Sequence, residues 1–211
     1  MKQILLIIFI IINVSNLKSQ TFNGKIIYES DYSNIKIDGL TNSDLKTAMG
    51  SIEEFFVHMG NHLTISNGTI MDWVLYRKEA SKVYFKMKDE KNVHFKDSNI
   101  FKKKLYKIEY YYENFKFLDY DCKKIVIHFG DNTKITSYYA PKLYVDSKLF
   151  KKDKYDGFYL LFSKTNSISL KTIYESKEYT KTVIAREIVK QNISMKKFNL
   201  PKELDVIKAP W

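Results

Sequence analysis

Residues 121–141, DCKKIVIHFGDNTKITSYYAP, leave the chain little choice of architecture. Two runs rich in β-branched and aromatic side chains, 125–129 and 135–139, flank Gly130-Asp131-Asn132, residues that tolerate the left-handed backbone of a tight reversal. A β-hairpin follows, and its pattern recurs along most of the chain. Leu63 and Ile65 lead to a turn at Ser66-Asn67-Gly68, residues 70–77 carry Trp73, and Val83, Phe85 and Met87 alternate with Tyr84, Lys86 and Lys88. Val93 and Phe95 mark a weaker strand, and Tyr106, Ile108, Tyr110 and Tyr112 oppose Lys107, Glu109 and Glu113. Each such run has one face for a core and one for water. Further strands are expected at 22–32, 158–162, 168–175 and 179–189, with 144–156 a polar connection tipped by Lys151-Lys152-Asp153-Lys154.

One segment changes period. Thr41 can cap a helix, with Asp44 three residues on reaching back to it. Leu45, Ala48, Met49, Ile52, Phe55, Phe56 and Met59 then recur at spacings of three and four, and Gly60-Asn61 supplies a terminator. Gly50 inside this stretch costs about 1 kcal/mol relative to alanine, so packing must hold the helix. Nine or more successive antiparallel strands with one such helix imply an α+β fold that is mostly antiparallel β. The expected form is a single curved sheet, a half-barrel, with this main amphipathic helix packed in its concave face.

The first residues give a location. A basic start at Lys2, an apolar run over 4–14 and polar residues through Gln20 have the form of a secretory signal peptide, shorter in its apolar core than the ~20 residues of a membrane span. Residues 1–20 are therefore set apart from a single domain over 21–211, expected in the periplasm or outside the cell. Cys122 is the sole cysteine, so no internal disulfide can form and the domain must stand on its hydrophobic core. The formal charge is +11, but only Arg77 and Arg186 are arginines, the side chain that grips phosphate with two prongs. That speaks against a nucleic-acid partner and leaves a salt-sensitive attraction to anionic lipid headgroups, hence peripheral membrane contact.

The second half of the chain resembles a known family. Cys122-Lys123-Lys124 opening a strand, the Gly-Asp-Asn turn, Tyr138-Tyr139-Ala140-Pro141, and Tyr155-Asp156-Gly157-Phe158-Tyr159-Leu160-Leu161 are similar to the GLPGLI family of exported Gram-negative bacterial proteins. Phe198-Asn199-Leu200-Pro201 is in keeping with it. The resemblance implies a LolA-like half-barrel at the cell envelope and brings no catalytic residues.

Reactive constellations are sparse. His58 and His62 are four apart, a spacing that on a helix could share a metal, but no third ligand accompanies them and they read as solvent-facing residues at a helix end. His94 and His128 alternate with apolar neighbours and are expected to face away from the core. Lys123 and Lys124 beside Cys122 would lower a thiol's pKa, although a buried strand cysteine is the plainer reading. No phosphate loop, nucleophile elbow or dinucleotide fingerprint occurs, so no enzyme, cofactor or metal is expected. Sixteen tyrosines and fourteen phenylalanines with several methionines suggest instead an apolar cavity. Its candidate lining is Met49, Ile52, Phe55, Phe56, Met59, Trp73, Phe85, Ile125 and Ile127. The expected function is a non-enzymatic binding protein that carries a lipid or other apolar ligand in the half-barrel. The alternative is an interaction module that docks on an outer-membrane partner, its cavity filled by side chains.

Overall fold

A computed structural model describes residues 20–211, so the expected signal peptide lies, apart from Gln20, outside the described residues. The fold is one open sheet of twelve strands. These are β1 (Gly24–Ser33), β2 (Ile52–His58), β3 (Asn61–Ser66), β4 (Met71–Arg77), β5 (Lys82–Met87), β6 (Val93–Asp97), β7 (Leu105–Phe117), β8 (Tyr120–Phe129), β9 (Lys134–Tyr144), β10 (Ser167–Glu175), β11 (Thr180–Lys190) and β12 (Val206–Lys208). Their order across the sheet is β12-β6-β5-β4-β3-β2-β1-β11-β10-β9-β8-β7. Every pairing is antiparallel except β12 on β6. Two antiparallel ladders of near-neighbours, β2 to β6 and β7 to β11, are thus joined through β1, which pairs with β2 on one side and β11 on the other. Among the described residues no helix is long and apolar enough to cross a membrane.

The hairpin of 121–141 is β8 and β9, with Ile127 opposite Ile135 and Asn132 in the left-handed region at φ 66°. Phe129 N–H donates to the Thr133 carbonyl, closing the turn.

The expected main helix in the concave face is not there. Thr41 does cap a helix, and its side chain and that of Asp44 exchange hydrogen bonds with each other's backbone N–H, but α1 (Asn42–Met49) has only eight residues and one buried side chain, Leu45. Gly50 ends it at φ 97°, and a Cβ there would lie 2.1 Å from the Ser66 hydroxyl oxygen, so the chain reverses where no other residue fits. Ile52, Phe55 and Phe56 continue as β2, a central strand, and Met59 sits in the β2–β3 turn at φ 48°. The three-and-four spacing misleads because β2 is covered on both sides. Phe55 and Val57 belong to one apolar cluster and Phe56 to another, and a run buried on both faces loses the strand's period of two.

The concave face is filled by the segment read as a polar connection and a strand. Residues 145–165 form a plug: turns of 3-10 helix at Ser147–Phe150 and Tyr155–Gly157, then α2 (Phe158–Thr165), also eight residues long. Val145, Phe150 and Phe162 join Phe55, Tyr76 and Phe85 in the largest cluster, while Leu160 and Leu161 pack on Ile125, Ile127 and Phe129. The plug touches both ladders and so lies in the fold's hollow. On the opposite face of β2–β6, Ile193 and Phe198 cover Phe56, Leu63, Leu75, Tyr84 and Val93.

Candidate functional site

A buried hydrogen bond ties the plug to the sheet. His62 in β3 shares a 2.7 Å hydrogen bond between Nε2 and the Asp153 carboxylate, and the two side chains are 7% and 1% exposed. The His62 ring stacks on Phe158 at 4.3 Å and is flanked by Tyr76 at 5.4 Å. Its Nδ1 has no partner among the described residues. Neither nitrogen faces a nucleophile, so the arrangement is a clasp. It corrects the expectation of a solvent-facing His62, and Gly60-Asn61 is a hairpin turn, not a helix end. His94 is likewise buried, against Glu90 and 4.8 Å from the Trp211 ring. His128, partly exposed, holds Glu109 at 2.7 Å. Burial pushes the Cys122 thiol up to about 11, against the lowering expected from its lysines. One of those ammonium groups, that of Lys124, is engaged 3.7 Å above the Tyr111 ring. Among the described residues no three His, Cys, Asp or Glu side chains gather as a metal site.

Beside the plug, polar and aromatic side chains form rows across the sheet. Register places Tyr174, Lys181 and Tyr32 in one row across β10, β11 and β1, and Thr172, Val183 and Ser30 in the next. Opposite Tyr28, β2 presents Glu53, whose carboxylate accepts from Lys181 Nζ at 2.5 Å and from the Ser30 hydroxyl at 3.0 Å. Tyr179 closes the row, 5.9 Å from Tyr32 and 6.3 Å from Tyr174. From the plug, Tyr155 stands 5.4 Å from Phe85, and Asp156 follows in a left-handed conformation at φ 48°, next to Gly157 at φ 79°. Tyr28, Glu53, Tyr155, Tyr179 and Lys181 are half-buried.

Several groups of this patch are shifted by burial and by one another. Burial would lower the Lys181 pKa, but the Glu53 carboxylate and the neighbouring tyrosines outweigh it and hold the ammonium charge above its usual range. The surrounding protein raises the Asp156 carboxyl by desolvation although its side chain reaches solvent, with Lys103 and Lys96 partly offsetting it, and burial raises the Tyr32 hydroxyl. Tyr155 is pushed up to about 12 by burial and by Asp156. Tyr32, 2% exposed, has a buried hydroxyl with no partner among the described residues. A buried orphan hydroxyl and a non-glycine residue in left-handed backbone both cost stability. The Tyr76 hydroxyl is orphaned likewise among the described residues, and Lys181 is the charged group with the largest effect on the Tyr32 hydroxyl. Chemically the patch offers one ammonium, two carboxylates and phenol faces: recognition groups with no nucleophile aligned to a base.

The nine residues expected to line one apolar cavity are dispersed. Phe55 and Phe85 face the hollow in the largest cluster, Ile125 and Ile127 lie under α2, and Phe56 and Trp73 pack on the opposite face beneath Phe198. Met49, Ile52 and Met59 are exposed. A small apolar groove does exist between Phe101, Leu105, Gly157, Tyr159 and Leu160, with Lys103 and Lys154 among its walls, but it encloses only about 210 Å³. Ligand cavities usually span ~300–1,000 Å³. Sequence reasoning missed Tyr32, Asp156 and Lys181. The Asp156-Gly157 dipeptide, a turn marker, was the one local signal available.

The fold is shared with proteins of very different sequence. Crystal structures of a protein named PNGF-II, in space groups P21 and C2, superpose on 90% of this chain with a TM-score of 0.52 and 13% identity. This chain spans about a third of the length of that protein, 32% and 31% in the two crystals. An uncharacterized conserved protein from Thermus thermophilus superposes with a TM-score of 0.53 at 7% identity, over 91% of this chain and 93% of its own. The LolA superfamily protein NE2245 from Nitrosomonas europaea covers 87% of this chain at 8% identity, but its TM-score of 0.33 is too low to carry an argument. No family model and no curated protein sequence matches the chain.

Proposed function

We propose that this chain is an exported, non-enzymatic binding module, related to the GLPGLI proteins it resembles, that receives an amphipathic ligand against the Tyr32–Lys181 rows of its sheet. The carrying observation is the Tyr32 hydroxyl, buried and unpartnered among the described residues beside the Lys181–Glu53 pair. A ligand with a polar end would meet Lys181, Glu53 and Asp156, and its apolar part would lie against Tyr28, Val74 and Phe158, all half-buried. A long acyl chain fits less well, because the large aromatic side chains of the hollow are already packed against one another. The protein is to be purified from its host without detergent and weighed by native mass spectrometry. A co-purifying small-molecule mass that Lys181→Glu abolishes supports the reading, and an unliganded mass for the wild type overturns it.

A second reading, docking on an outer-membrane partner, is favoured by β7. Among the described residues this outermost strand has no partner on its far side, and Tyr106 and Tyr112 are 80% and 79% exposed. Such an edge can accept a strand from another chain. Cross-linking from Tyr112 on intact cells tests it: one discrete envelope-protein adduct supports docking, and its absence removes this reading while leaving the first intact.

A further inference from the structure

At the other end of the strands that carry the Tyr32 patch, a second recess of about 620 Å³ opens, within the range typical of ligand sites. It lies where the approach to β1, the last residue of β2 and the ends of β9 and β11 converge. Asn23 and Tyr32 mark the two ends of β1, roughly 30 Å apart at ~3.3 Å per residue, so the recess is distinct from the patch described above.

Its walls are chemically one-sided. Lys142, Lys190 and His58 line it together with the amides of Asn23, Gln191 and Asn192, and among the described residues the lining contains no Asp or Glu. None of the three basic side chains forms an ion pair with a described residue, although seven lysine or arginine pairs with carboxylates exist elsewhere among the described residues. The shape is held from within. Asn23 Nδ2 donates to Asn192 Oδ1 at 3.3 Å, and Asn23 Oδ1 accepts from Ile193 N–H at 3.4 Å, tying the approach to β1 to the chain leaving β11. Burial lowers the His58 pKa, which leaves the ring neutral near pH 7, a donor at one nitrogen and an acceptor at the other.

Two unpaired ammonium groups without a neighbouring carboxylate attract an oxyanion. Side-chain amides each carry a donor and an acceptor, which matches a hydroxyl group that is also both. Lysines are point charges, without the two-pronged fork that favours a planar phosphate or carboxylate contact, so the hydroxylated body must supply orientation. We propose that this recess is a binding site for an acidic saccharide, its anionic group held by Lys142 and Lys190 and its hydroxyls by the amides of Asn23, Gln191 and Asn192. This site does not depend on the ligand proposed for the hollow.

The test is calorimetric titration of the purified protein with digalacturonate, with neutral lactose and inorganic phosphate as comparisons. Digalacturonate is expected to bind at least tenfold more tightly than either and to weaken as salt rises. Lys142→Gln and Lys190→Gln are each expected to weaken it several-fold. Asn192→Ala is expected to weaken digalacturonate while leaving the feeble phosphate binding unchanged. Both lysines are exposed, so their variants should melt with the wild type, and Lys151→Gln serves as a charge control that leaves binding unchanged. No binding of digalacturonate, equal binding of lactose or phosphate, or indifference to both lysine substitutions would overturn the proposal. Loss of the ligand sought in the hollow, with digalacturonate binding retained, would leave it standing.

Discussion

The two ladders of the sheet are built alike and clothed differently. Strands β2 to β6 are covered on both faces, by the plug within the hollow and by residues 193–204 outside, so that Phe55, Phe56 and Val57 are buried in succession. At the β7 to β9 end Leu160 and Leu161 pack on Ile125, Ile127 and Phe129, and Cys122, Val126 and Ala140 are buried as well, but β7, the outermost strand, has no buried residue. Phe115 and Phe117 of β7 pack on Tyr138, with Lys171 5.6 Å from the Tyr138 ring, and all three aromatic side chains lie half-buried against the largest cluster. The same backbone pattern therefore yields one ladder covered through β2 to β6 and another that is buried through β8 and β9 but ends on an open strand displaying tyrosines. Stability is expected to reside in the first and contact with other molecules in the second.

The largest effect that could break this contrast is Phe198→Ala. Phe198 is 1% exposed over the outer face of β2–β6, and its loss should cost about 3–5 kcal/mol in urea unfolding. A cost under about 1 kcal/mol would mean that the outer cover is not part of the cooperative unit. Next comes the clasp. Asp153→Ala leaves His62 buried without its partner and should cost about 2–4 kcal/mol, with Asp153→Asn recovering part of it by keeping a hydrogen-bond acceptor. If Asp153→Ala is silent, the plug is held by apolar packing alone.

The same contrast explains what could be read from the amino-acid order. At the open edge alternation is plain, and Tyr106, Ile108, Tyr110 and Tyr112 mark β7; the β8–β9 hairpin, buried on both faces of β8, lies where its turn residues place it. Where both faces are closed, alternation vanishes. Phe55-Phe56-Val57 has no period of its own, and its chance alignment with Leu45, Ala48 and Met59 mimicked a helix that Gly50 interrupts. The plug was obscured for a different reason. Lys151, Lys152 and Lys154 look like a solvated loop, yet Phe150 just before them and Asp153 among them are buried, and Asp153 finds a histidine 91 positions earlier in the chain. The Tyr32, Glu53 and Lys181 patch is likewise assembled from three strands by pairing, and no local window contains it.

Cys122 gives a smaller effect, governed by pH. The buried thiol is pushed up to about 11 from an ordinary value of 9.0, so between those values the folded chain binds more proton than the unfolded one. Stability should therefore be fully present below about pH 9 and fall as pH rises toward 11, by roughly 2–3 kcal/mol in total. The measurement is the difference between wild type and Cys122→Ala, which cancels the tyrosines that titrate in the same window. A parallel decline in both proteins would show that the thiol is not sealed.

The smallest effect sharpens the comparison most. Tyr106 and Tyr112 are largely exposed on β7, so replacing both by threonine, which retains strand propensity, should change unfolding free energy by less than about 0.5 kcal/mol. The same double variant should lose any adduct formed through that edge on intact cells, because aromatic anchors dominate contact surfaces of this kind. A stability loss comparable with that of Phe198→Ala would instead place β7 inside the cooperative core, and the difference between the two ladders would disappear.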